Sequence, residues 1–311
     1  MGLLQMVNAG VVSGNSIEKI LEYGKKNNFA IPSVSVINME SINATLEAAS
    51  KSNSAIILEI NSENTKFIGG KIAKGNPTIL GAVATAQYIH SVASYYKIPV
   101  IITAGYALLN QLEWLDKLLE LSENSYKKEG KALFTLHSID LRGIHIDDAI
   151  KVAQKYLKRV SKIGVGLELK FTDSQIDSKE LTSIYEKLYK ISSNLIIEID
   201  FQEKESFASI KKIDKIQKSL KKEFKTNSKP LNIAINKEYI NNKTKEYINT
   251  GIVKINIDKQ LQTMHIDVIS EIANDADEKY HDIKKVMREI QKRQIKYITS
   301  SIKEFNSKNT L

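Results

Sequence analysis

The chain has 311 residues, 42% of them hydrophobic and 4 of them Pro, enough to bury the core of one long α/β barrel or of two ordinary domains. It contains no cysteine, which excludes disulfides, thiolate catalysis and cysteine-based metal sites. Its net charge of +9 admits two readings, an acidic partner or a Lys-rich solvated helix surface.

The basic pairs Lys211-Lys212, Lys221-Lys222, Lys284-Lys285 and Lys292-Arg293 fall late and carry no interleaved aromatics, so nucleic acid is disfavoured. There is no apolar run of about 18 residues, so no membrane span is expected. Residues 1–16 lack a basic region followed by an apolar stretch, so no secretory signal is expected and the location reads as cytoplasmic. Met6 stands where N-myristoylation wants Ser or Thr.

Short β-branched or Leu-rich runs alternate with long helical patterns. Strands are predicted at Ala30 to Val36, Ala55 to Ile60, Val100 to Thr103, Ala132 to His137, Gly166 to Phe171, Leu195 to Phe201, Leu231 to Ile235 and Val253 to Ile257. Helices are predicted at Ser41 to Ser50, Leu80 to Tyr96, Asp147 to Val160, Ser178 to Ile191, Ser206 to Phe224 and Lys237 to Asn249. The Asp147-Asp148 pair reads as an N-terminal cap, and Gly251 sits where a C-terminal glycine belongs. Eight strand–helix units argue for a single (β/α)8 TIM barrel over an open sheet, and Ile37 to Glu40 is not a Gly-rich dinucleotide turn. The expected organisation is a barrel over residues 1–265 and a charged helical tail over 266–311, packed on the barrel or on a partner.

Several segments, each weak alone, are specific in their order and spacing. They are Pro32 to Ser35, Ser41 to Ala49, Ile79 to Ala82, Ile98 to Ile101, Trp114 to Asp116, His137 with Ile139 to Leu141, Ser161 to Gly164, Leu167-Glu168 and Val253 to Asp258. Together they resemble the zinc-dependent class II fructose-bisphosphate aldolases, from about Gly10 to Asp258 and more weakly to Phe305. The resemblance implies a barrel whose zinc is held by three histidines and polarises a ketose-phosphate carbonyl. It also implies a carboxylate that moves the proton and glycine-rich loops that hold phosphate.

The positions that would carry this chemistry depart from the family pattern. Where the family strand ends His-Thr-Asp-His, this chain has Thr103, Ala104, Gly105 and Tyr106. The second zinc histidine falls near Glu205, within Glu203 to Ser206, the third falls on Asn236, and the glutamate near the metal falls on Lys170. The phosphate loop becomes Lys237 to Asn241, with bulky side chains and Glu238 in place of glycines. Asn256, Asp258 and Lys284 are possible phosphate-binding remnants. The five histidines, His90, His137, His145, His265 and His281, read as non-ligands.

The expectation is a pseudoenzyme with no catalytic residue, no metal and no cofactor. It would act as a structural or interaction subunit in a homodimer or hetero-assembly, with a small-molecule substrate doubtful. Two alternatives stand beside it. One is altered sugar-phosphate chemistry through a Schiff base on Lys170. The other is a non-catalytic phosphosugar or anion binder built on Asn256, Asp258 and Lys284.

Overall fold

The computed structural model describes residues 2–71, 74–201, 207–240, 243–274 and 282–311, apart from the side chains of 207–209. Nine strands run β1 (Gly10–Val11), β2 (Ile31–Ser35), β3 (Ile56–Ile60), β4 (Pro99–Ala107), β5 (Leu136–Asp140), β6 (Gly166–Thr172), β7 (Leu195–Asp200), β8 (Ile233–Asn236) and β9 (Ile252–Ile257). Every pairing is parallel. β2 pairs with both β3 and β9, and the intervening strands pair in sequence, so β2 to β9 close into an eight-stranded barrel. The short β1 lies outside this ring, against the start of β4.

The strands form because both of their faces are covered. Ile56, Leu58 and Ile60 pack outward into the helix-covered core, while Ile57 points into the barrel with Ile101, Leu136, Ile196 and Ala234. That inner apolar layer is plugged from the N-terminal end by helix Ser16–Asn27, through Ile17, Ile20 and Leu21. Above the layer, the period-two alternation brings polar residues inward: Glu59, Ser138, Glu168, Glu198 and Lys254, each less than a tenth exposed.

All eight expected barrel strands are present, with shifted ends. β4 runs four residues beyond the expected Thr103, and β5 starts at Leu136 rather than Ala132. Helices Ser16–Asn27, Ser62–Gly69 and Leu112–Glu129 were not among the expected elements. The expected helix from Lys237 to Asn249 is a short 3-10 turn at Lys237–Tyr239 and a separate helix at Thr244–Asn249. Gly251 follows that helix at φ +105°, as expected of a terminating glycine. The Asp pair lies in the first turn of helix Ile146–Val160, where it complements the helix dipole, but the cap itself is His145, whose Nδ1 accepts from Asp147 N at 3.4 Å.

Helix Lys259–Asn274 runs through residue 265, and the long helix Ile283–Glu304 packs on helix Met39–Lys51. Arg293 ties the two late helices together through Glu271 at 2.5 Å. Lys237 and Thr244 fix Glu304 to the barrel at 2.8 Å each. The last residues close beside the plug, with Leu3 N donating to Thr310 O at 3.0 Å. No described helix is long and apolar enough to cross a membrane.

Candidate functional site at the barrel mouth

The carboxyl ends of the strands surround a cleft of about 380 Å³. Its walls carry the carboxyls of Glu59, Glu63, Asp140, Glu198 and Asp258 against the cations Lys170 and Arg142. Tyr106, Asn236 and Asn256 add polar groups to the lining, beside Asn61, Ser62 and Gln111.

The centre of the site is Glu198, 1% exposed, on β7. Lys170 on the adjacent β6 is its direct register partner, and Lys170 Nζ lies 2.8 Å from Glu198 Oε1. The other carboxylate oxygen accepts from Asn256 Nδ2 at 2.7 Å and from the Tyr106 hydroxyl. The Tyr106 ring also lies 4.8 Å from Lys170 Nζ and 5.8 Å from Lys254 Nζ, measured to its centroid.

A bulge in β4 carries Tyr106 to this point. Pairing with β5 passes from Ala104↔His137 to Ala107↔Ile139, so β4 holds one residue more than its neighbour over this stretch. Thr103 faces inward, onto Ser138 at 3.3 Å. Regular alternation from there would send residue 106 outward, and the extra residue reverses it. Gly105 sits in the same bend. A Cβ on it would lie 3.2 Å from Asn61 Cα and 3.3 Å from Glu59 Cγ.

A second buried layer lies just below. Lys254 Nζ, fully buried, is 2.7 and 2.6 Å from the two Glu168 oxygens and 3.9 Å from Glu59 Oε2. Ser138 Oγ donates to Glu168 Oε2 at 2.8 Å. β6 is regular, so Glu168 and Lys170 both point inward.

Burial is the first influence on Glu59, Lys254, Lys170 and Tyr106. Burial pushes the Glu59 carboxyl up to about 7, although Lys254 pulls the other way. Burial also opposes the Lys254 charge, but Glu168, Glu59 and Glu198 outweigh it and hold its pKa above the usual lysine value. Lys170 behaves alike, with Glu198 outweighing the cost of burial. The Tyr106 hydroxyl is driven well above its ordinary range by burial and then by Glu168 and Glu198, so it stays protonated and donates.

At the rim, Arg142 Nε and Nη2 grip Asp140 at 2.7 to 3.1 Å, and Nη1 reaches Asp200. Tyr239 OH donates to the other Asp200 oxygen at 2.6 Å. Asn236 ends β8 and turns its side-chain oxygen back onto Glu238 N at 3.1 Å as a cap. Asp258 accepts from Gln262 Nε2 at 2.9 Å.

Of the residues singled out from the sequence, the mouth therefore gathers Gly105, Tyr106, Lys170, Asn236, Asn256 and Asp258. Lys284 is not gathered. It lies on the first turn of the tail helix, outside the lining of the mouth, its side chain 78% exposed and with Asp282 at 3.9 Å. Glu205 and His281 lie outside the described residues. The other histidines serve elsewhere. His137 faces outward from β5 against Phe134 and is fully buried, and burial lowers its pKa to about 3, keeping it neutral. His90 Nε2 lies 3.0 Å from Leu133 O. His265 lies against Leu261 O and Glu40.

Sequence reasoning did not find Glu59, Glu198, Lys254, Asp140 or Arg142. The signal was available: polar residues at alternate positions of otherwise apolar strands, as in Ile196, Glu198 and Asp200, which only a closed barrel interior can pair.

The described mouth does not fit a zinc ion. Zinc wants three N, S or O ligands around one open position. The Glu198 carboxylate is already held by an ammonium, a phenol and an amide. Among the described residues no group of three His, Cys, Asp or Glu side chains is placed to hold a metal.

Comparison with known proteins agrees with this architecture. The family described as "Fructose-bisphosphate aldolase class-II" matches residues 15–194. A Campylobacter jejuni protein named fructose-bisphosphate aldolase is 33% identical over 298 residues, covering 87% of this chain and 84% of its own. The class 2 fructose-bisphosphate aldolase of Buchnera aphidicola from Schizaphis graminum is 32% identical with both chains fully covered. The crystal structure of the Campylobacter jejuni aldolase superposes with a TM-score of 0.91 at 29% identity over the whole of both chains. The chain thus belongs to the class II fructose-bisphosphate aldolase family.

Proposed function

We propose that this chain is a class II aldolase-type barrel that does not catalyse aldol cleavage and serves as a structural or interaction subunit of a larger assembly. One observation carries the reading: the Lys170 ammonium 2.8 Å from Glu198, at the point where the family resemblance puts a metal-proximal carboxylate. A cation built into the strand repels a divalent ion and neutralises the carboxylate that would bind it. Tyr106 and Asn256 use the remaining oxygen of that carboxylate.

The mouth is also ill suited to a sugar bisphosphate. Its carboxyls outnumber its cations, and Arg142 is spanned by Asp140 and Asp200. A Schiff-base route needs a neutral lysine, and Lys170 is held charged by Glu198. The named relatives are aldolases, and the proposal is that this chain has kept their frame and given up their reaction.

Affinity purification from the native cell, followed by mass spectrometry, tests the interaction half. A reproducible stoichiometric partner supports it, and a chain recovered alone at native concentration contradicts it. The catalytic half is tested by zinc content and fructose 1,6-bisphosphate cleavage on the same sample.

A further inference from the structure

A larger cleft, of about 780 Å³, lies at the opposite end of the barrel. It is formed by the plug helix Ser16–Asn27, the last turn of helix Phe207–Glu223 and residues 227–229, which lead into β8. Its volume falls in the range of about 300–1,000 Å³ that suits small ligands.

The charge here is the reverse of that at the mouth. Lys19, Lys25, Lys26, Lys221 and Lys229 line the cleft, with Glu22 the one lining carboxyl. Glu22 is already engaged by Lys25, whose side chain is 2% exposed, and by Ser228 Oγ at 2.9 Å. Lys25 Nζ also donates to Lys229 O at 2.9 Å, which fixes the lysine-bearing loop onto the helix. Among the described residues no carboxylate lies in ion-pair range of Lys26, Lys221 or Lys229.

Lys229 is placed rather than loose. Its stem runs over Gly251, where a Cβ would come within 3.0 Å of Lys229 Cδ. Burial, followed by the repulsion of Lys25 and Lys221, lowers its pKa against the pull of Asp214. Like charges gathered around one cleft on a fixed scaffold raise the local potential, and an anion that shares them relieves it.

We propose that this basic cleft at the N-terminal end of the barrel is a binding site for a small anion bearing two or more phosphates. Lys26, Lys221 and Lys229 present the ammoniums, while Lys25 and Gly251 position them. Two phosphates suit the site better than one because the unpaired ammoniums come from three separate parts of the chain, the plug helix, helix Phe207–Glu223 and the segment before β8.

Isothermal titration calorimetry on the full chain tests this, with pyrophosphate, ADP, adenosine and a short single-stranded RNA as probes. Pyrophosphate or ADP is expected to bind at one site per chain and adenosine not at all. The stronger of the two phosphate probes identifies the source of the phosphates. The double variant K26E/K221E changes only exposed side chains and is expected to weaken binding by at least about tenfold, equivalent to about 1.4 kcal/mol. The mouth variant Asp258→Asn is expected to leave binding unchanged. Silence from both phosphate probes overturns the proposal. So does equal affinity in K26E/K221E, loss of binding in Asp258→Asn, or binding of the RNA alone. None of these outcomes bears on whether the mouth turns over substrate.

Discussion

Lys170 and Glu198 face each other as register partners on β6 and β7, with Nζ 2.8 Å from Oε1 and the carboxylate 1% exposed. Parallel strand pairing has set a fixed counter-charge beside the one carboxylate on which Tyr106 and Asn256 converge. A side chain placed by the barrel itself holds its position without a ligand, so the mouth is complete as it folds.

Removing that counter-charge exposes what it does. Lys170→Met leaves Glu198 with only neutral donors. It is expected to lower stability by about 2–3 kcal/mol, somewhat less than a fully buried pair because Lys170 is partly exposed. Urea denaturation reads the change. A loss of a few tenths of a kcal/mol would mean that the pair is solvent-screened and structurally idle.

Lys254 offers the stronger case, because neither it nor Glu168 is exposed. Lys254→Met is expected to cost about 3–5 kcal/mol by stranding Glu168 and Glu59. The double variant Lys254→Met with Glu168→Leu is expected to recover most of that loss, giving a large coupling energy in a double-mutant cycle. Additive single losses would contradict the pairing.

Glu59 predicts a pH dependence. Its folded pKa, raised to about 7 by burial, lies above the unfolded value of about 4.3. The folded state therefore binds more protons between those values. The stability that Glu59 contributes is fully present below about pH 4.3 and lost as pH rises through 7. Lys254 opposes the shift, and Glu168, Glu198 and Asp258 reinforce it. Glu59→Gln should flatten this slope and stabilise the protein at pH 8 by roughly 2–3 kcal/mol. A pH profile of unfolding free energy that is unchanged in Glu59→Gln would refute the assignment.

Gly105 predicts that a family-like carboxylate is not simply reinstated. The Cβ of Gly105→Asp would press on Asn61 and Glu59, and its charge would add to that of Glu59. A cost of about 1–3 kcal/mol is expected from the crowding alone. Thermal unfolding measures it. A neutral or stabilising result would mean that the bend in β4 can open.

The barrel was legible because strands buried on both faces leave apolar, β-branched runs such as Ile56 to Ile60, whatever the function. The helices Ser16–Asn27 and Leu112–Glu129 escaped because their buried faces are thin stripes within Lys- and Glu-rich stretches. Tyr106 was identified as a replaced position, but its reach to Glu198 depends on a β4 bulge that no local residue pattern announces. Glu198 and Lys254 were hidden for a related reason. A single charged residue in a strand reads as an edge or rim position until eight strands close around it.

The most direct measurement of the central claim combines zinc analysis and fructose 1,6-bisphosphate cleavage on chain purified from its native cell. The account predicts zinc well below one per chain and no cleavage above background, with or without added zinc. Stoichiometric zinc, with turnover that a chelator abolishes and zinc restores, would contradict it.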